Sequence, residues 1–237
     1  MEFADLVRMY ETKKREFGNK AYLHISEIFE EAREEYKQEY LASPKAQKVR
    51  AKGRTPDAEQ SWKPFKGANF EKLILHIIGE EIQSLNLKCI PGDSLSGARL
   101  PAELNRVYRN LTVRYGSFSI LPDADLVIYK PITCEVVGII SCKITLRERV
   151  AQTAYWKLKL AADPLTMHVK GYFVTADEDG DLVRGILEPT RKPTRNRIIV
   201  EHDLDGTYVL RDIQESGKVK AFPKLIEDIR RLVIEKG

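Results

Sequence analysis

The sequence predicts an α/β protein with a central mixed β-sheet flanked by helices and an added helical region at its N-terminal side. Three observations predict it. Residues 1–42 are rich in Glu, Lys, Arg and Ala, with Leu6, Met9 and Tyr10, then Tyr22, Ile25, Ile28 and Phe29, at helical spacing. Short strand-like runs crowd residues 117–143 and recur between 168 and 210. Amphipathic helical stretches separate and follow them, which is an α/β arrangement rather than two segregated layers.

Gly18 separates two helices in the first stretch. Residues 43–68 read as a loop punctuated by Pro44, Gly53, Pro56, Pro64 and Gly67. Its first half carries Lys45, Lys48, Arg50, Lys52 and Arg54, with no acid until Asp57. Such a stretch is either a solvated mobile loop or a contact to a nucleic-acid backbone that orders on binding. Asn69 reads as an N-cap, and the helix after it places Phe70, Leu73, Ile74, Ile77, Ile78, Ile82 and Leu85 on one face. At about 100° per residue, Glu71 falls between Ile78 and Ile82, and Glu81 also lies inside the apolar arc. A carboxylate on a core-facing stripe is costly unless something pairs with it; for Glu71, in the first turn, a favourable interaction with the helix dipole is the plain alternative.

A helix follows from Pro101 to Arg114. Strands are expected at 117–121, 125–129 and 135–143, a helix at 146–161, strands at 168–175, 182–187, 197–201 and 207–210, and a closing helix at 225–235. The chain thus divides into residues 1–66, helical with a basic loop, and residues 67–237.

Composition narrows the function classes. Hydrophobic residues make up 43%, enough for a real core and too many for a disordered chain. The formal net charge of +4 permits a polyanionic partner without demanding one, because a partner feels local patches. Cys89, Cys134 and Cys142 are odd in number and form no CxxC or Cys/His cluster, so zinc is not indicated and reduced thiols are expected. The first residues lack the basic start and apolar stretch of a signal peptide, and no apolar run approaches the roughly 20 residues that span a bilayer. The expectation is a soluble cytoplasmic protein with no membrane partner.

The stretch 121–149 carries the chemistry: Leu-Pro-Asp-Ala-Asp, then Ile-Ile-Ser-Cys-Lys, then Thr-Leu-Arg-Glu-Arg. Hydrolysing a phosphodiester at neutral pH needs a hard cation to polarise the phosphate, carboxylates to hold it and a positive group near the attacking water. In a strand alternate residues share a face, so Val137, Ile139, Ser141 and Lys143 point one way, and Lys143 ends an otherwise apolar strand. Asp123 and Asp125 also share a face, so parity leaves both open. Glu135 lies roughly 26 Å from Lys143 along an extended strand and is rejected as a ligand.

Pro122-Asp123 followed by Ser141-Cys142-Lys143 resembles the PD-(D/E)XK nuclease motif, in the variant with Ser-x-Lys. That variant is typical of type II restriction endonucleases recognising CCGG or CCNGG cores, of the NgoMIV and BsaWI kind. In that family an Arg/Lys-(Asp/Glu)-Arg element follows the lysine, and Arg147-Glu148-Arg149 stands at that place. The resemblance covers about 80 residues. It implies a restriction-endonuclease-like core, a Mg2+ cofactor, and double-stranded DNA as partner in a prokaryotic cell. It assigns Asp123 and Lys143 as catalytic with Ser141 beside them, and an upstream helix glutamate, here Glu71, as a metal ligand with Asp123; Asp125 is the other candidate ligand. It implies a CCGG-containing target, cut to leave 5′ overhangs. Arginine can bind guanine O6 and N7 through two hydrogen bonds and glutamate can accept from cytosine N4, so Arg147, Glu148 and Arg149 suit G·C readout; a charged first turn of a surface helix is the plain alternative.

One departure stands out. Many members carry a second glutamate thirteen or fourteen residues after the lysine, where this chain has Trp156 and Lys157. Gln152 lies on the same helix but is a poor substitute for a charged ligand. His24, His76, His168 and His202 are scattered and read as ordinary surface or core residues. Arg191, Lys192, Arg195 and Arg197 form a second basic loop that either touches phosphates or is simply solvated. Cutting both strands of a symmetric site is most simply done by a two-fold dimer, with the N-terminal helices as the contact. The rival readings are a repair or junction-resolving nuclease of low specificity, disfavoured because Glu148 would repel phosphates, and a non-catalytic DNA-binding regulator.

Overall fold

The computed structural model describes residues 1–147, 149–183 and 192–234. The chain divides into two compact units, Met1–Leu73 and Ile74–Gly237.

The first unit is helical, as the spacing predicts. Helix α1 (Phe3–Phe17) ends at Gly18, whose φ of 55° is a conformation glycine adopts without steric cost. A 3-10 segment (Gly18–His24) leads into α2 (Ile25–Ala42). Leu6, Tyr10, Ile25, Ile28 and Phe29 are buried, so the apolar positions of the pattern do form the core. The expected loop at 43–68 is largely helical instead. Ser43 caps α3 (Pro44–Ala51), its Oγ accepting from Ala46 N at 3.3 Å, and Pro44 sits in the first turn, where a missing N–H costs nothing. Asp57 starts α4 (Ala58–Ser84), its Oδ1 accepting from Gln60 N at 2.9 Å. Pro64 lies inside α4 despite its lost donor. Aromatic packing holds the helix there: Trp62 is buried, with its ring 5.4 Å from Phe65 and 5.2 Å from Tyr36. Asn69 is therefore mid-helix rather than a cap, and its Nδ2 donates to Phe65 O at 2.8 Å.

Charge is distributed unevenly in this unit. Lys13, Arg33 and Lys37 are each ion-paired with glutamates. Lys45, Lys48, Arg50, Lys52 and Arg54 are all exposed, and no acidic partner is found for them among the described residues.

Among the described residues the second unit is built on a six-stranded sheet. In chain order its elements are β1 (Lys88–Pro91), α5 (Ala102–Leu111), a separate hairpin of β2 (Val113–Tyr115) and β3 (Phe118–Ile120), then β4 (Leu126–Tyr129), β5 (Val136–Lys143), α6 (Arg149–Ala161) and β6 (Lys170–Thr175). α7 (Arg195–Asp203), β7 (Gly206–Val209), β8 (Val219–Ala221) and α8 (Lys224–Ile234) complete it. The sheet order is β1-β4-β5-β6-β7-β8. The β1–β4 and β4–β5 pairings are antiparallel, and β5 through β8 run parallel. The mixed sheet expected from the sequence is thus present, with β5 at the junction of its two halves. Every β5 residue but Lys143 is buried, which is why the strand reads as an apolar run rather than an alternation. One core cluster joins Val107 and Leu111 of α5 to Val127, Tyr129 and Ile139; a second joins Val150 and Ala154 of α6 and Val200 of α7 to Phe173 and Val209.

Two expectations change. Residues 197–201, expected as a strand, lie inside α7, which Thr194 caps by accepting from Arg197 N at 3.1 Å. A short apolar run such as Ile198-Ile199-Val200 fits a strand or a buried helix equally. Of the expected strand 182–187, Leu182 and Val183 lie in a turn and the remainder falls outside the described residues. No helix among the described residues is long and apolar enough to cross a membrane.

Beyond β6 the chain turns at Asp177, which is fully buried with φ of 50°. Its carboxylate accepts from Leu182 N at 3.2 Å, and burial pushes the carboxyl up from 3.8 to about 7. A carboxyl raised in the folded state contributes stability below its unfolded value that is lost as pH rises through the folded one. Asp177→Asn, which keeps an acceptor without the charge, is expected to gain stability over the wild type progressively between pH 4 and 7 and to hold that gain above. Denaturant midpoints across pH check this, and a difference independent of pH contradicts it.

Candidate active site

The site grows from the β4–β5 pairing. Pro122 has no N–H to give to a ladder, and β4 starts only at Leu126. The register pairs Leu126 with Ile140 and Val127 with Ile139, so Asp125 falls opposite Ser141. Directly opposed residues of antiparallel strands present their side chains on one face. Asp125 therefore shares a face with Ser141 and Lys143.

The contacts follow from that register. Lys143 Nζ lies 2.8 Å from Asp125 Oδ1 and 2.7 Å from Oδ2. Cys142 N donates to Asp125 Oδ2 at 2.6 Å. The two side chains are 25% and 11% exposed, sheltered enough to be weakly screened yet open to a ligand. The lysine at the end of an apolar strand thus has the partner its position demands.

The backbone of Asp125 is tied on both sides. Its N–H donates to Ile140 O at 3.0 Å, and its carbonyl accepts from Gly92 N at 2.8 Å. Gly92 follows β1, and a Cβ there would stand 1.8 Å from Ala124 O. Only glycine allows this approach. Gly92 was not singled out from the sequence, since a lone glycine near a turn carries no sign of what will pass it.

Asp123 takes a different direction. Its side chain is exposed, and Oδ2 accepts a hydrogen bond from Gln152 Nε2 on α6. The two aspartates that parity leaves open are separated by the fold: Asp125 joins Lys143, and Asp123 joins Gln152. Ser141 is buried beside Lys143 on the same strand. Glu71 is half-buried on α4 in the first unit, and Glu81 is exposed with an oxygen 3.8 Å from Arg230. Glu135, rejected on distance, pairs with Lys130 at 2.9 Å. Among the described residues no three His, Cys, Asp or Glu side chains are grouped to hold a metal ion.

β5 passes into α6 through a tight turn. Arg147 is exposed in it with φ of 38°, and Arg149, also exposed, opens α6. Glu148 lies outside the described residues. Lys157 is tied down by Asp205 at 2.7 Å and by Val169 O at 2.9 Å. In the second basic loop Arg197 is buried, bonded to Glu201 and to Leu182 O, so it holds α7 rather than facing a ligand; Arg191 falls outside the described residues. His24 stacks on Phe17 at 3.8 Å and lies 2.9 Å from Glu27 Oε2.

A carboxylate and an ammonium thus stand on the adjoining ends of two antiparallel strands, in a mixed sheet and followed by an arginine-bearing helix. The family model described as BsaWI restriction endonuclease type 2 matches residues 103–231. The chain is 36% identical over 209 residues to a Methanocaldococcus jannaschii protein described as "Putative type II restriction enzyme MjaVIP", covering 87% of this chain and 92% of the relative. A Helicobacter pylori protein described as "Probable type II restriction enzyme HpyAORF263P" is 34% identical over 125 residues, or 53% of this chain and 65% of that protein. Among solved structures, the restriction endonuclease PspGI in complex with its substrate DNA superposes with a TM-score of 0.53 at 14% identity, over 97% of this chain and 93% of that one; at this identity the likeness bears on the fold. The chain belongs to the BsaWI family of type II restriction endonucleases.

Gly92→Ala is expected to displace the Ala124–Asp125 backbone and so pull the carboxylate from Lys143. If cleavage depends on Asp125, its rate should fall at least about tenfold, the scale set by misplacing a reacting group, with a lowered melting temperature. Full activity in this variant would show that the Gly92 approach does not position Asp125.

Proposed function

We propose that this restriction endonuclease hydrolyses phosphodiester bonds in double-stranded DNA at a CCGG-containing palindrome, with Mg2+ as cofactor. The observation that carries the chemistry is the ion pair of Lys143 with both carboxylate oxygens of Asp125.

The donor set suits Mg2+. This ion prefers oxygen ligands and keeps several waters, so one or two carboxylates plus a substrate phosphate suffice. Asp125 would hold it, with Asp123 as the neighbouring carboxylate and Glu71 the acid the family pattern points to. Bound Mg2+ supplies a polarised phosphate and a water of lowered pKa. The chain's own groups do the rest. Lys143 orients the attacking water and stabilises charge on the phosphate oxygens. Water attacks phosphorus in line and gives up one proton to solvent, the P–O bond opposite breaks, and the leaving oxygen takes a proton from solvent. Ser141 lines the same face. Gln152, by holding Asp123, fixes one carboxylate without adding charge.

Base readout falls to the turn after β5. Arg147 and Arg149 are exposed and adjacent to the catalytic strand, and with Glu148 they match the donors and acceptors of G·C pairs in the major groove. The exposed cations of residues 45–54 suit phosphate contacts, which carry no sequence information. Replacing them with glutamine should flatten the salt dependence of DNA binding by about one unit of slope for each phosphate no longer neutralised; an unchanged slope rejects that role. Two active sites on the two strands imply a homodimer, and a monomer by light scattering, with and without DNA, rejects it.

The reading is tested by digesting a sequenced phage DNA with wild type and Lys143→Ala, in Mg2+ and in EDTA. Discrete fragments from the wild type in Mg2+ alone, absent in the variant, are expected, and their mapped ends should contain CCGG. A smear that Lys143→Ala abolishes would indicate a nuclease without sequence specificity. Cutting in EDTA would contradict the metal.

A further inference from the structure

The turn between Lys143 and α6 is short, exposed at Arg147 and left-handed there, with φ of 38° for a residue that has a Cβ. Such a conformation costs energy and persists only when its surroundings impose it. Leu146 anchors one side by full burial in the second core cluster. The other restraint comes from the loop after β6. Glu178 N donates to Ile144 O at 3.2 Å, and the Asp179 carboxylate accepts from Leu146 N at 3.1 Å. Two consecutive loop residues therefore grip the two residues that bracket Thr145, just before Arg147.

That loop is itself rigidly built. Asp177 N donates to Thr175 Oγ1 at 2.9 Å, and the buried Asp177 carboxylate accepts from Leu182 N, closing the loop on itself. Arg211, just beyond β7, donates from Nη1 to Asp177 O at 2.8 Å. Gly180 N completes a turn onto Asp177 O at 2.9 Å. A continuous chain of hydrogen bonds thus runs from the end of β7, through the loop, to Leu146. It reaches the turn from the β6 side, whereas Asp125 holds Lys143 from the β4 side. The catalytic strand end and the arginine-bearing turn are braced separately.

We propose that Asp179 is a positioning residue for base recognition: by fixing Leu146 N it sets the direction in which Arg147 and Arg149 leave the sheet, and so the discrimination between the target and near-target sequences. This rests on the reading of that turn as the base-contacting element. A carboxylate accepting a backbone N–H is a strong hydrogen bond, and Leu146 N has no β-ladder partner, because β5 ends at Lys143. Loss of the acceptor leaves a sheltered donor unsatisfied and frees the turn to relax from its left-handed geometry. Asp179 holds the backbone of the turn whereas Asp125 holds Lys143, so removal of the Asp179 carboxylate should act on recognition more than on the chemical step.

The test uses the full-length enzyme and a duplex carrying its mapped cleavage site, beside the same duplex with one G·C pair replaced by A·T. Asp179→Ala is expected to raise KM for the target and to lower the ratio of kcat/KM between the two duplexes, each on the order of tenfold, with a smaller change in kcat. Asp179→Asn, which retains an acceptor for Leu146 N, should restore most of the discrimination. Should Asp179→Ala fail to fold, Asp179→Glu keeps the charge and shifts the acceptor by one methylene, and it is expected to lose discrimination partly. Wild-type discrimination in Asp179→Ala or Asp179→Glu, or a loss confined to kcat, overturns the proposal. Arg149→Ala separates the two levels: if it leaves discrimination intact, the reading of the turn fails, whereas if it loses discrimination and Asp179→Ala does not, only the bracing role fails.

Discussion

The β4–β5 register is the constraint that organises the site. By placing Asp125 opposite Ser141 it brings a carboxylate to an ammonium that would otherwise end an apolar strand without a partner. Neither charge is well solvated alone, and removing one partner of a sheltered pair leaves the other uncompensated. The pair is therefore a clasp between two strands, partly open to solvent. Gly92 belongs to the same constraint, since its close approach to Ala124 holds the aspartate segment against the β1 side.

The position of this pair in the sheet gives it reach. β5 is antiparallel to β4 on one side and parallel to β6 on the other, so its end meets structure of two kinds. The antiparallel side delivers Asp125 directly from the neighbouring strand. The parallel side delivers the loop after β6, whose Glu178 N–H and Asp179 carboxylate meet the turn into α6. α6 then returns to the site through Gln152, which meets Asp123. The groups proposed for catalysis and base reading are thus carried by one continuous segment, Asp123 to Gln152, supported from outside it.

Much of this was legible in the sequence, for physical reasons that differ by element. The α1 and α2 pattern and the apolar stripe of α4 were clear because a 3.6-residue period over several turns is hard to mimic. β5 and β6 stood out as long apolar runs, whereas β1 and β8, of four and three residues, are too short to show any period. Residues 44–51 were hidden because proline and glycine signal helix ends as readily as loops; Pro44 begins α3 and Gly53 follows it. α7 was hidden because three consecutive aliphatic residues serve either structure. At the site, Ser141, Lys143 and the arginines after them were visible through motif and spacing. The resemblance assigned Asp123 beside Lys143, and that Asp125 is the one in contact with the lysine was not legible, because both aspartates have the same parity and only the pairing register separates them. The Gln152 contact likewise depends on how α6 folds back, which no local pattern encodes.

If Asp125, paired with Lys143, is the carboxylate on which cleavage depends, and Asp123 only supports it, neutralising the two should have unequal effects. Single-turnover cleavage of a target duplex in Mg2+ by Asp125→Asn and by Asp123→Asn compares them. The expected loss is more than about 100-fold for Asp125→Asn, beyond the range of a supporting contact, and within about 10- to 100-fold for Asp123→Asn. The reverse order, with Asp125→Asn close to wild type, would show that the ion pair with Lys143 is a structural clasp and that the chemistry runs through Asp123.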